Sequence, residues 1–220
     1  MKLNIVIPCY NEEEVLHETN RQLTELVDSM IKENLLTECD ILYVDDGSND
    51  KTWSVIEELK TKSPYAHGLK LSHNVGHQNA LWAGLEQSVG KCDAVVSIDA
   101  DLQHDIHKIQ DMVLSYHDGY EVVYGIRNSR STDSKFKKRT ALSFYKLMQK
   151  MGVDLIPNHA DFRLLGKNAL QALLEFPERN LFLRGMVRLL GLRKPMCILT
   201  ATNGTRVNQS ILQERCSLLR

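Results

Sequence analysis

Apolar residues recur along the chain in two alternating periods, and these set the expected elements. Leu3 to Ile7 is continuously apolar apart from Asn4, as in a strand buried on both faces of a parallel sheet, and Pro8 stops it. Val15, Leu16, Leu23, Leu26, Val27, Met30 and Ile31 then return at helical spacing. Ile41 to Val44 reads as a second strand, stopped by Asp45-Asp46-Gly47-Ser48. A helical stretch over Thr52 to Lys60 follows, then a short strand around Gly68 to Leu71. Asn79 to Ser88 is helical and closed by Gly90. Ala94 to Ile98 is a strand that stops at Asp99, Ile106 to Ser115 a helix, and Glu121 to Tyr124 a strand. Strands and helices alternating over short connections predict an α/β fold, a three-layer αβα sandwich on a mainly parallel sheet.

The pattern changes after Gly125. Arg127, Arg130, Lys135, Lys137, Lys138 and Arg139 form a basic stretch, and a helix from Thr140 to Met151 follows it. Asp161 to Leu165 is a short strand, and Ala169 to Leu174 and Phe182 to Leu190 are helical. From Leu192 to Arg220 no period is visible. Five Lys or Arg against the single Glu214 give that tail a charge of +4.

Composition narrows the class. A chain of 220 residues with 43% hydrophobic and 25% charged residues suits one globular domain with a real core. Lys plus Arg number 27 against 28 Asp plus Glu, a net charge of -1, so nothing global points to nucleic acid. The five cysteines contain no C-x-x-C pair. Neither a zinc knuckle nor a disulfide frame fits them, and reduced thiols in a cytoplasmic setting are expected. No apolar run reaches transmembrane length, and no secretory signal pattern opens the chain.

The candidate chemistry gathers at the carboxyl ends of the strands, where open α/β sheets bind ligands. The first strand ends in Pro8-Cys9-Tyr10-Asn11-Glu12, the second in Asp45-Asp46-Gly47-Ser48 and the Ala94 strand in Asp99-Ala100-Asp101. Three acidic clusters at one rim would repel one another unless a cation or ligand donors sat among them. Asp99 and Asp101, at i and i+2, are expected to hold Mg²⁺ or Mn²⁺, which would also take phosphate oxygens and stabilise a departing diphosphate. The alternative is a pair of solvated loop carboxylates. Of Asp45 and Asp46, one is expected to face the ligand, where it could accept a uracil N3–H, while Ser48 or Asp50 caps the next helix. Tyr10 is expected to stack on a base, or else to pack in the core. Cys9 reads as a small buried residue. No P-loop or G-x-G-x-x-G follows the first strand, which weakens ATPase and NAD readings. His104 and His107 lack a third close ligand for zinc.

These residues carry a resemblance. I-V-I-P-C-Y-N-E-E-E (5–14), V-D-D-G-S-N-D-K-T (44–52), N-V-G-H-Q-N-A (74–80), D-A-D-L-Q-H (99–104), Y-G-I-R (124–127), A-D-F-R-L-L (160–165) and F-L-R-G (182–185) run in the order found in family 2 glycosyltransferases of the GT-A fold. Within them the chain resembles the polyprenyl-phosphate glycosyltransferases, the group containing dolichol-phosphate mannose synthase and bactoprenol glucosyltransferase. The resemblance implies an inverting, metal-dependent transfer of a hexose from a UDP- or GDP-sugar to a polyprenyl phosphate such as undecaprenyl phosphate. It places the full-length family at the cytoplasmic face of the membrane. It implies that Pro8, Tyr10, Glu12, Asp45, Asp46 and Asp99 bind the nucleotide sugar, and that Asp99, Asp101 and Gln103 hold the metal. Asp161 stands where the family has a candidate base and Asp101 shares the catalytic assignment, while Arg127, Arg163 and Arg184 would face phosphate groups. The basic stretch from Arg127 to Arg139 suits an anionic acceptor or lipid headgroups, or else forms a solvated loop. The oligomeric state stays open.

The resemblance covers roughly residues 3 to 191, the expected catalytic domain, and residues 192–220 depart from it. The family continues with an R-x-x-G-x-S-K-Y segment and membrane helices. One choice of permitted codons for the tail, read one base out of register from the last base of Pro195, gives a string containing R-Y-E-G-E-S-K-Y. The tail is therefore expected to be a shifted reading frame that packs poorly, with the family's membrane segment lost and the chain left in the cytoplasm. Three readings follow: a lipid-phosphate glycosyltransferase, a truncated remnant that binds nucleotide sugar with little or no transfer, and a nucleotidyltransferase.

Overall fold

A computed structural model of the chain describes residues 1–126, 159–176, 183–190 and 197–200. In chain order, the first half comprises β1 (Lys2–Cys9), α1 (Leu16–Lys32), β2 (Glu38–Asp45), α2 (Thr52–Lys62), β3 (Ala66–Lys70) and α3 (His77–Ser88). Then come β4 (Ala94–Ser97), α4 (Lys108–His117), β5 (Val122–Ile126), β6 (His159–Gly166) and α5 (Lys167–Leu174). A short α6 (Leu183–Met186) runs into a 3₁₀ turn (Val187–Leu190), and β7 (Cys197–Thr200) is the last described element. The basic stretch from Arg127 and the expected Thr140 helix lie outside the described residues.

The strands form one sheet in the order β3-β2-β1-β4-β6-β5-β7. All described pairings are parallel except those of β6, which runs antiparallel between β4 and β5. The period-2 alternation of side chains divides the core. On one face Leu3, Ile5 and Ile7 of β1 pack with Leu16, Leu23, Val27 and Met30 of α1, Ile56 of α2, and Ile109, Met112 and Val113 of α4. On the other face Val6, Val44 and Val95 pack with Ala80, Leu81 and Leu85 of α3 and with Ala169, Leu170 and Leu173 of α5. Each such Leu, Ile or Val contributes about 1.5–3 kcal/mol by leaving water. The result is the expected αβα sandwich of GT-A architecture.

The one polar residue inside the first apolar run is buried with a partner: Asn4 Nδ2 donates to Ser88 Oγ of α3 at 2.8 Å. Within the tail, Cys197–Thr200 pairs in parallel with β5 as an edge strand, an element that the sequence pattern does not predict. Because β1 sends its chain to β2 and β3 on one side while β4 lies on the other, strand order reverses between β1 and β4. Parallel sheets open a crevice at such a reversal, beyond the carboxyl ends of the strands.

Candidate active site

The crevice is occupied by a cavity of about 450 Å³. Pro8, Cys9, Tyr10 and Glu12 line it from the end of β1, and Asp46 from the end of β2. Asp99, Ala100 and Asp101 line it after β4, Asn74, Gly76, His77 and Ala80 around the start of α3, and Asp161 from β6. Most of the expected nucleotide and metal residues thus share one cavity.

Local hydrogen bonds build the rim. The loops after β1 and β2 are knitted together: Asn11 N donates to Ser48 Oγ (3.0 Å), Asn49 N to Asn11 Oδ1 (2.9 Å) and Glu12 N to Thr52 Oγ1 (2.8 Å). Asp50 accepts the Thr52 amide at 3.0 Å and so serves the start of α2, whereas Ser48 serves the opposite loop. Tyr10 is 43% exposed, so its ring is a cavity wall and not core packing. Cys9 is buried, and burial together with nearby Glu12 and Asp45 pushes its thiol well above the usual range.

The two aspartates after β2 differ. Asp45 is fully buried below the rim and does not line the cavity; its Oδ1 accepts the Ser48 amide at 3.1 Å. Asp46 lines the cavity, but both its oxygens accept backbone amides, from Val75 (2.7 Å) and Gly76 (2.9 Å). Its carboxylate therefore ties the loop before α3 to the end of β2, in addition to any contact with a base.

After β4, the Asp99-Ala100-Asp101 turn is pinned from α1, where Thr19 Oγ1 donates to the Ala100 carbonyl at 2.7 Å. Asp101 Oδ1 accepts the Gln103 amide at 3.1 Å, closing a turn in which Leu102 has φ +49°. The Gln103 side chain is exposed and does not line the cavity. His104 is buried on the Phe162 ring, with Nε2 3.4 Å from Asp99 Oδ2. This contact, helped by His77 and opposed by burial, holds the Asp99 carboxyl below its ordinary value. Glu12 is shifted the other way: partial burial, then the charges of Asp101, Asp50 and Asp99, raise its carboxyl.

Asp161 meets its partners in a different way from the sequence expectation. Arg163, expected to face phosphate, is buried and donates Nη2 to Asp161 Oδ1; it does not line the cavity. Gln78 Nε2 donates to Asp161 Oδ2 at 3.0 Å, and Ser97 Oγ donates to its main-chain oxygen. His77 Nε2 lies 3.5 Å from Asp161 Oδ2 and 3.7 Å from Asp99 Oδ1, between the two carboxylates. The sequence pattern gives His77, Gln78 and His104 no role of their own. No sequence signal points to the contacts of the first two, which depend on how the start of α3 meets β6 in space. Arg127 and the Arg184 side chain lie outside the described residues.

The cavity suits a divalent ion with oxygen ligands. Asp99 and Asp101 line it beside Glu12, whose carboxyl is raised first by burial and then by the nearby negative charges of Asp101, Asp50 and Asp99, charges that a cation would offset. Among the described residues no three His, Cys, Asp or Glu side chains are already gathered at ligating distance. Among the same residues no helix is long and apolar enough to cross a membrane.

Comparisons with known proteins agree with this architecture. The sequence model for glycosyl transferase family 2 matches residues 4–174. An uncharacterized glycosyltransferase, YkoT of Bacillus subtilis, is 55% identical over 192 residues, which are 87% of this chain and 57% of that protein. The bactoprenol glucosyl transferase of Shigella phage SfX is 36% identical over 195 residues, 87% of this chain and 61% of that protein. The chain thus spans about three-fifths of the length of these curated relatives. Among solved structures, S. aureus TarS 1–349 in complex with UDP-GlcNAc superposes with a TM-score of 0.58 at 18% identity, covering 94% of this chain and 60% of that one. Glucosyl-3-phosphoglycerate synthase from Mycobacterium tuberculosis, with Mn²⁺, UDP and phosphoglyceric acid, gives 0.53 at 17% identity, covering 78% and 57%. The chain belongs to glycosyl transferase family 2, on a GT-A fold.

Proposed function

We propose that the chain transfers a hexose from a UDP-sugar to a polyprenyl phosphate, with inversion at the sugar carbon and with Mg²⁺ or Mn²⁺ bound. The observation that carries this reading is the single cavity in which Tyr10 and Glu12, Asp99 and Asp101, and Asp161 converge at the β1/β4 reversal. Relatives named bactoprenol glucosyl transferase at 36–37% identity support the acceptor, and fold neighbours bound to UDP or UDP-sugars support the donor.

In this reading Tyr10 stacks on the base, and Pro8, Glu12 and the rim tied by Asp46 enclose the nucleoside. Asp99 and Asp101 hold the ion, with Gln103 nearby. The ion would stabilise the negative charge left on the departing diphosphate. The acceptor phosphate has a second pKa of about 6, so it is already largely an anionic nucleophile at neutral pH. Asp161 is then asked to orient the acceptor or the sugar more than to remove a proton. Arg127 and Arg184 are proposed to face the acceptor phosphate, and Arg163 to act by holding Asp161.

Incubation with radiolabelled UDP-glucose or GDP-mannose and undecaprenyl phosphate, with and without Mn²⁺, tests the reading. Metal-dependent label in the lipid fraction is expected from UDP-glucose. Saturable nucleotide binding without transfer would instead support the remnant reading. Label from GDP-mannose alone would overturn the donor assignment.

A further inference from the structure

We infer that Gln78 is a positioning residue that sets the carboxylate of Asp161 for transfer. The inference deepens the proposed function and rests on Asp161 facing the reacting groups. Asp161 Oδ1 accepts from the buried Arg163 guanidinium, and Oδ2 accepts from Gln78 Nε2 at 3.0 Å. Arg163 lies on the same strand and the same face, two residues away, so β6 alone determines that contact. Gln78 comes from another layer of the fold, and its amide fixes the carboxylate relative to the rest of the cavity.

The geometry that delivers Gln78 is itself built. Asp46 accepts the amides of Val75 and Gly76, which fastens the loop before α3 to the end of β2. Gly76, at φ +88° with open space around it, turns the chain into the first helical turn. That turn places His77 between Asp99 and Asp161 and points the Gln78 amide at Asp161 Oδ2. A donor on each oxygen prevents the carboxylate from rotating about its last torsion. The nucleoside side of the cavity and the carboxylate at its far wall are therefore joined through one short segment.

The test uses two variants and two readouts. Gln78→Leu keeps the size and removes the donor. Its kcat for transfer, compared well below the melting temperature of either protein, is expected to fall about tenfold or more, with KM for the nucleotide sugar within about twofold and a melting temperature lower by roughly 4–8 °C. Gln78→Glu can donate to Asp161 only while protonated, so its activity is expected to survive at acidic pH and fall as pH rises, displacing the optimum downward. Among the described residues, the charged or titratable groups that face this contact include Arg163, His77 and, across His77, Asp99, and both variants retain them. Wild-type kcat in Gln78→Leu, or a wild-type pH profile in Gln78→Glu, overturns the inference. A crystal structure of Gln78→Leu decides independently of turnover: a rotated Asp161 carboxylate is expected, and an unmoved one overturns the assignment. Absence of transfer by the wild-type chain would instead sink the proposed reaction and leave this structural readout intact.

Discussion

Gly47→Ala probes the closest backbone approach at the rim, and its cost can be worked from the structure. Gly47 has φ +66°, and a Cβ there would stand 2.5 Å from the His73 carbonyl carbon, 2.6 Å from Asn74 N and 2.8 Å from His73 Cα. The left-handed backbone alone costs an alanine about 1 kcal/mol. Ordinary Cβ contacts begin near 3.4 Å, so the 73–74 backbone must also withdraw by about 0.9 Å. That shift stretches at least one of the two Asp46 bonds to Val75 and Gly76, now 2.7 and 2.9 Å. A hydrogen bond to a charged group contributes about 2 kcal/mol, for a total near 3 kcal/mol. For a chain of this size that is a fall of roughly 6–12 °C in Tm. Gly90→Ala is the control: it has φ +71° but nothing within 4 Å of the added Cβ, so only the strain remains. Its expected fall is about 2–4 °C. Thermal melts by far-UV circular dichroism compare the two variants. Equal falls would refute the close-approach argument and reduce Gly47 to a conformational requirement.

Asp101→Asn is expected to abolish metal-dependent transfer while leaving the fold intact, since Asp101 is exposed; retained turnover would remove it from the metal site. Glu12→Gln should raise the Tm of the ligand-free protein at neutral pH. The native Glu12 carboxyl is raised by burial and by Asp101, Asp50 and Asp99, so its ionised form costs stability that grows as pH rises through its native pKa. A melt series from pH 4 to 8 should therefore show wild type and variant converging at the acid end, and parallel curves would contradict this. Cys9 and Cys39 should resist iodoacetamide in the native protein at pH 8, because burial pushes both thiols up; rapid modification mapped to either by mass spectrometry would refute that packing. Sequencing the gene across codons 190 to 220 tests the proposal that the tail is a shifted frame, which requires a second frame encoding G-x-S-K-Y.

Elements through Tyr124 were legible because local pattern and burial agree there. The α1 stripe reads at helical spacing because one face of that helix packs on the sheet, and β1 reads as continuously apolar because both its faces are covered. The direction of β6 was not legible, since a short buried strand has the same residue pattern in either orientation. Cys197–Thr200 was too short to announce itself as a strand. At the site, the strand-end acids were legible because strand termini and turn residues mark the rim. The pairing of Arg163 with Asp161 could have been anticipated, as residues two apart on a strand share a face and opposite charges there attract. The approach of Gln78 and His77 could not, because it depends on where packing of α3 against β1 and β2 leaves its first turn relative to β6. Asp46 shows the reverse limit: its place at the rim was foreseen, while its bonds to Val75 and Gly76 bring together residues 29 and 30 positions apart.

The antiparallel β6 has a consequence for how the chain is made. It fills the slot between β4 and β5, yet both neighbours leave the ribosome first. Until His159–Gly166 arrives, the facing edges of β4 and β5 present unpaired amides and carbonyls, the kind of surface that invites pairing with another chain. The cavity wall at the ends of β1 and β2 can assemble while the far wall is still unsynthesised. Insertion of one strand then joins β4 to β5 and brings Asp161 to the cavity in a single event, so that acquiring the carboxylate and covering these two facing edges coincide during biogenesis.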